Sequence, residues 1–68
     1  MLKQGEKVRL KRDITRREGP YASKGDKGVV EEMFTSGTGS REHIWYAKVR
    51  MDSGRLQTFR MSSLEKIQ

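Results

Sequence analysis

The stretch His43-Ile44-Trp45-Tyr46-Ala47-Lys48-Val49-Arg50-Met51-Asp52-Ser53-Gly54-Arg55-Leu56-Gln57-Thr58-Phe59-Arg60 decides the fold class. In an extended chain Trp45, Ala47, Val49 and Met51 fall on one side, and Ile44, Tyr46, Lys48 and Arg50 on the other. A period of two with one apolar side predicts a strand over 43–51 that covers a core. Asp52-Ser53-Gly54 then reads as a short hairpin turn, with Gly54 free to take positive φ, and 55–60 as the returning strand.

Working outward, Lys27-Gly28-Val29-Val30-Glu31-Glu32-Met33-Phe34 is a further strand whose alternation slips once; a bulge near Glu31 restores Met33 to the core. Between it and 43–51, Ser36-Gly37-Thr38-Gly39-Ser40 marks a hairpin tip. Before it, 13–26 is polar and holds Gly19-Pro20, Ser23 and Gly25, which predicts a long excursion with turns, Tyr21 and Ala22 folding back. Lys7-Val8-Arg9-Leu10-Lys11 alternates as a first strand, entered from a Gly5-Glu6 turn. Past Arg60, Met61-Ser62-Ser63-Leu64 suits one turn of 3-10 helix and Glu65-Lys66-Ile67 a last strand. Five short strands without helical periodicity predict an all-β fold, a small closed barrel occupying 1–68 as one domain. Its expected core is Val8, Leu10, Val30, Met33, Ala47, Val49, Phe59, Leu64 and Ile67; Trp45 belongs to the core or to the rim, where it would mark a binding hot spot, and its strand phase favours the core.

Composition narrows the function classes. A chain of 68 residues that is 32% hydrophobic has little apolar material to spare, so self-association into a homo-oligomer is an attractive way to gain burial. There is no cysteine, hence no disulfide and no zinc–thiolate site, in keeping with a reducing cytoplasm. No apolar run approaches the about 20 residues that span a membrane as a helix. Charged residues make up 35% of the chain, but the patterned apolar positions and turn-placed glycines argue for a folded domain. Fifteen basic against nine acidic side chains leave a net charge of +6, which favours nucleic acid or an acidic protein surface as partner; a charge kept for solubility is the plainer alternative.

The segments Gly5-Glu6-Lys7-Val8-Arg9-Leu10 and Gly25-Asp26-Lys27-Gly28-Val29-Val30-Glu31-Glu32-Met33, with the ending Leu64-Glu65-Lys66-Ile67, resemble the opening, the glycine-x-valine core and the close of SH3-like barrels of the KOW type. The resemblance implies a five-stranded SH3-like barrel with a 3-10 turn before the last strand. Leu56-Gln57-Thr58-Phe59-Arg60-Met61-Ser62-Ser63-Leu64-Glu65-Lys66-Ile67 is similar to the tail of the plasmid type II dihydrofolate reductases, tetramers of such barrels around a central pore. Gln57 matches their pore glutamine, whereas Thr58 and Phe59 stand where they have isoleucine and tyrosine. Their pore lysine falls on Leu10, next to Lys11, and their tryptophan-glutamine-glycine segment is absent. The small stromal barrel subunit of photosystem I has a similar layout, so one scaffold serves unrelated tasks.

Few residues suggest catalysis. His43 is the one histidine and without cysteine makes no transition-metal site. Ser36, Ser40, Ser53 and Ser62 lack an adjacent base or a nucleophile elbow. Glu31 and Glu32, adjacent on a strand, point to opposite faces and form no close acid–base couple. The glycine-rich tip precedes no helix and no phosphate-loop lysine. No cofactor is implied.

The basic residues carry more. Lys7, Arg9 and Lys11 share one face of the first strand, and Tyr46, Lys48 and Arg50 one face of the third. Arg55 and Arg60 lie near them across the hairpin, and Arg12, Arg16 and Arg17 add charge on the long excursion. An aromatic ring among cations stacks a base while the cations neutralise phosphates; the plainer alternative is the solvated outside of a barrel. The leading expectation is a non-catalytic nucleic-acid-associated module. A protein-interaction subunit is the alternative, and a type II reductase-like enzyme, testable by NADPH-dependent dihydrofolate reduction, the remote one.

Overall fold

The computed structural model describes residues 2–15, 22–35 and 44–67. It is all-β: β1 (Lys7–Leu10), β2 (Lys27–Thr35), β3 (Trp45–Met51), β4 (Leu56–Arg60) and β5 (Leu64–Lys66) form one antiparallel sheet in the order β4-β3-β2-β1-β5. A 3-10 turn, Met61–Ser63, joins β4 to β5. That link forces curvature. A flat five-stranded sheet would hold its edges about 19 Å apart, four spacings of about 4.8 Å. The chain from Arg60 to Leu64 reaches at most about 14 Å even when extended. The sheet therefore curls until its two edge strands, β4 and β5, approach each other.

Three glycine turns set the strand starts. Gly5, Gly25 and Gly54 have φ of 88°, 91° and 94°, a region that a Cβ disfavours. In Lys3-Gln4-Gly5-Glu6 the Glu6 carboxylate accepts the Lys3 N–H at 2.6 Å, and in Ser23-Lys24-Gly25-Asp26 the Asp26 carboxylate accepts the Ser23 N–H at 3.0 Å. The two turns share one design, glycine third and an acid reaching back to the first residue. In the β3–β4 hairpin the Gly54 N–H donates to the Met51 carbonyl at 2.8 Å and the Met51 N–H to the Arg55 carbonyl at 2.8 Å, the three-residue loop expected of Asp52-Ser53-Gly54.

Every strand feeds one core: Val8 and Leu10, Val30, Ala47, Val49 and Met51, Phe59, and Leu64. The predicted bulge is present, as a register shift between Val30 and Glu32, and it brings Met33 opposite Ala47. Met33 and Ile67 are nevertheless only half-buried, and Met51, outside the expected core, is buried. Ile14 and Ala22 exchange backbone hydrogen bonds of 2.7 and 3.1 Å and pack on the core, so the described part of the excursion does fold back.

Trp45 overturns its expected burial, being 42% exposed. It has the inward phase, but β4 ends at Arg60 opposite Tyr46. At the level of Trp45, paired only with Thr35 of β2, the sheet has lost a neighbour and the ring stands open at the rim. The expectations for Arg16, Arg17, Gly19-Pro20, Tyr21, the Ser36–Ser40 tip and His43 lie outside the described residues.

Candidate nucleic-acid interface

The sheet's outer face is read most easily across the strands. Lys7 of β1 lies opposite Val29 of β2, which lies opposite Arg50 of β3, which lies opposite Leu56 of β4. Arg9 lies opposite Lys27. Towards the other end Lys48 lies between Glu32 and Thr58, and Tyr46 between Phe34 and Arg60. Lys11 follows β1 and Arg55 precedes β4.

Neighbouring strands supply acids that a single strand does not display. Arg9 Nε donates to Glu65 Oε1 at 2.7 Å, Arg50 Nε to Glu31 Oε2 at 2.9 Å, and Lys48 Nζ stands 3.5 Å from Glu32 Oε2. Arg50 also reaches the Gly54 carbonyl at 3.3 Å. The middle of the face is thus a ladder of alternating charge rather than a continuous cationic strip. Each pair is about half exposed and stabilises by at most about 1 kcal/mol, so the cations remain open to exchange partners. Glu31 and Glu32 do not point to opposite faces. The bulge inserts one residue, breaks the period of two, and leaves both carboxylates in solvent.

Among the described residues, no carboxylate pairs with Lys7, Lys11, Arg55 or Arg60, nor with Arg12, Lys24 or Lys27. Five of these gather at one end of the sheet. The Leu10 N–H donates to the Asp26 carbonyl, the Lys24 N–H to Asp13 Oδ1 at 2.7 Å, and the Asp52 N–H to the Lys27 carbonyl. Those bonds bring together the segments carrying Lys11, Arg12, Lys24, Lys27 and Arg55. Asp13, Asp26 and Asp52 share that end, the first two held on main-chain N–H groups. Lys27, Arg55 and Gln57 line an open cleft there with Asp26 and Asp52.

The opposite end is aromatic. Phe34 and Tyr46 stack, ring centroids 5.5 Å apart and 19° between planes. Phe34 was not among the sequence candidates; the signal was present, because the bulge that turns Met33 inward turns Phe34 outward. Lys24 and Lys27 were missed because they belong to different turns and strands. Apart from the sheet face, Glu6 binds Lys66 Nζ at 2.8 Å. That hydrogen bond first, and the Lys3 N–H second, hold the Glu6 carboxyl below its ordinary 4.5.

Among the described residues no group of three or more His, Cys, Asp or Glu is placed to hold a metal ion, and no helix is long and apolar enough to cross a membrane. No protein-family model, curated protein or solved structure matches the chain.

Proposed function

We propose that this chain is a small non-catalytic barrel of the SH3-like kind that binds nucleic acid. The strand order, the long excursion between β1 and β2 and the 3-10 turn before β5 support the SH3-like reading. The observation that carries the binding reading is the distribution of charge. Acids offset the cations at mid-face, while Lys11, Arg12, Lys24, Lys27 and Arg55 gather at one end without an ion-pair partner among the described residues. Phosphates release counterions at such a site, so binding falls steeply with salt.

A salt titration of oligonucleotide binding tests this. Replacing Lys27 and Arg55 together by alanine lowers the slope of log K against log salt by about 1.4 for a single strand, about 0.7 per lost phosphate contact. Absence of binding at low salt refutes the proposal. A second reading, a subunit docking on a protein, draws on Trp45 and Leu56, 42% and 50% exposed. A stoichiometric, nuclease-insensitive protein partner in a pull-down supports that reading instead.

A further inference from the structure

Resting on the nucleic-acid reading, we infer that the aromatic end of the β2–β3 ladder is a stacking site for unpaired bases, so that the chain prefers single strands to duplex. Phe34 and Tyr46 form a stacked cross-strand pair on the outer face. The next ladder position pairs Thr35 with Trp45, whose ring is 42% exposed at the rim. Arg60 is the partner of Tyr46 on the β4 side, is exposed, and has no carboxylate partner among the described residues. The ladder positions of Phe34, Thr35, Trp45, Tyr46 and Arg60 thus adjoin one another on three neighbouring strands, whose backbones lie within two strand spacings, about 10 Å.

Stacking on a ring requires a free base face, which a single strand offers and a duplex interior does not. Arg60 neutralises a phosphate or lies over a base in the same encounter. Geometry favours a flexible ligand too. Tyr46 points outward and Trp45 stands at the inner side of the rim, so a ligand that touches both must turn over the sheet's end. Between this end and the cationic end stand the carboxylates of Glu31 and Glu32. A duplex, stiff over about 150 base pairs, would lie along β3 with its phosphates against them; a single strand bows past.

Trp45 is the sole tryptophan, so its emission reports this site directly. The intact chain is titrated with dye-labelled oligo-dT of about 12 nucleotides, within the range one small β-barrel covers, and with a duplex of equal length. Tryptophan emission and dye anisotropy are followed together. The expected result is quenching by the single strand that saturates with the anisotropy curve, and none from the duplex. Trp45→Ala then weakens single-strand binding about 5- to 160-fold, the effect of losing one stacked base, and leaves duplex binding unchanged. Trp45→Phe, which keeps a ring, retains most of the affinity. If Trp45→Ala fails to give a strand-type circular dichroism spectrum, quenching of the natural chain and the Trp45→Phe affinity decide. Equal affinity for both forms, or binding without quenching, overturns the stacking site while leaving the nucleic-acid reading intact. Lack of binding to either overturns both. Quenching by poly-glutamate but not by oligo-dT overturns both in favour of a protein partner.

Discussion

Gly28→Ala places one methyl where β2 and β3 leave no room. A Cβ at Gly28 would lie 2.5 Å from Val49 Cγ1, 2.6 Å from the Arg50 carbonyl oxygen and 3.0 Å from Met51 Cα. Ordinary contact needs about 3.5–4.0 Å, so β3 must retreat by about 1 Å. Val49 is fully buried and two of the three obstacles are main chain, so rotation of a side chain does not relieve the clash. Overpacking of this kind, with the backbone shifts it forces, costs about 1–3 kcal/mol. Against it stand about 0.8 kcal/mol for the buried methyl and about 0.4–1 kcal/mol from the stiffer unfolded chain. With two main-chain atoms in the way the top of that range applies, and a net loss of about 1–2 kcal/mol is expected. A domain of this size has roughly 3–10 kcal/mol in hand. With an m-value of about 1 kcal/mol/M the urea midpoint falls by about 1–2 M. Gly54→Ala is the control: its φ is 94° with nothing within 4 Å, so it carries only the left-handed strain of about 1–2 kcal/mol, partly offset. Val49→Ala combined with Gly28→Ala removes the methyl contact but not the carbonyl, so the double variant stays less stable than Val49→Ala alone. A Gly28→Ala midpoint at or above that of the natural chain, or complete rescue by Val49→Ala, refutes the reasoning.

Two further substitutions follow from the charges. Because the folded chain holds the Glu6 carboxyl below 4.5, its stabilisation is present above that value and is lost as the pH falls through the lowered one. Glu6→Gln should therefore melt at a lower temperature than the natural chain near neutral pH, the two curves converging well below 4.5; a constant offset across the acid range speaks against the Lys66 contact as cause. Glu31→Gln with Glu32→Gln raises the net charge from +6 to +8 and releases Arg50 and Lys48 to phosphates. Single-strand binding should tighten and its salt slope steepen by up to about 1.4, while stability changes by less than about 1 kcal/mol for each exposed pair. Unchanged affinity at low salt counts against the outer face taking part.

The all-β class, the order of elements, the Asp52-Ser53-Gly54 turn, the Glu31 bulge and most of the core were legible in the chain, since each depends on residues a few positions apart. Alternation names the buried side of a strand, and glycine names the positions that need positive φ. What alternation does not convey is where a neighbouring strand stops. Trp45 keeps the inward phase of Ala47 and Val49, yet stands open because β4 ends one ladder position before it. Met51 keeps the same phase and is buried, at the end where Gly28 lets β2 lie close.

The charge pattern divides in the same way. The excess of cations, and their places on the outward side of β1 and β3, follow from composition and strand phase alone. Folding selects which of them go without an ion pair among the described residues, by bringing Glu65 to Arg9, Glu31 to Arg50 and Glu32 to Lys48, and by gathering Lys11, Arg12, Lys24, Lys27 and Arg55 at one end. The reason is range: strand phase is set by bonded neighbours, whereas an ion pair depends on a register between segments as many as 56 residues apart.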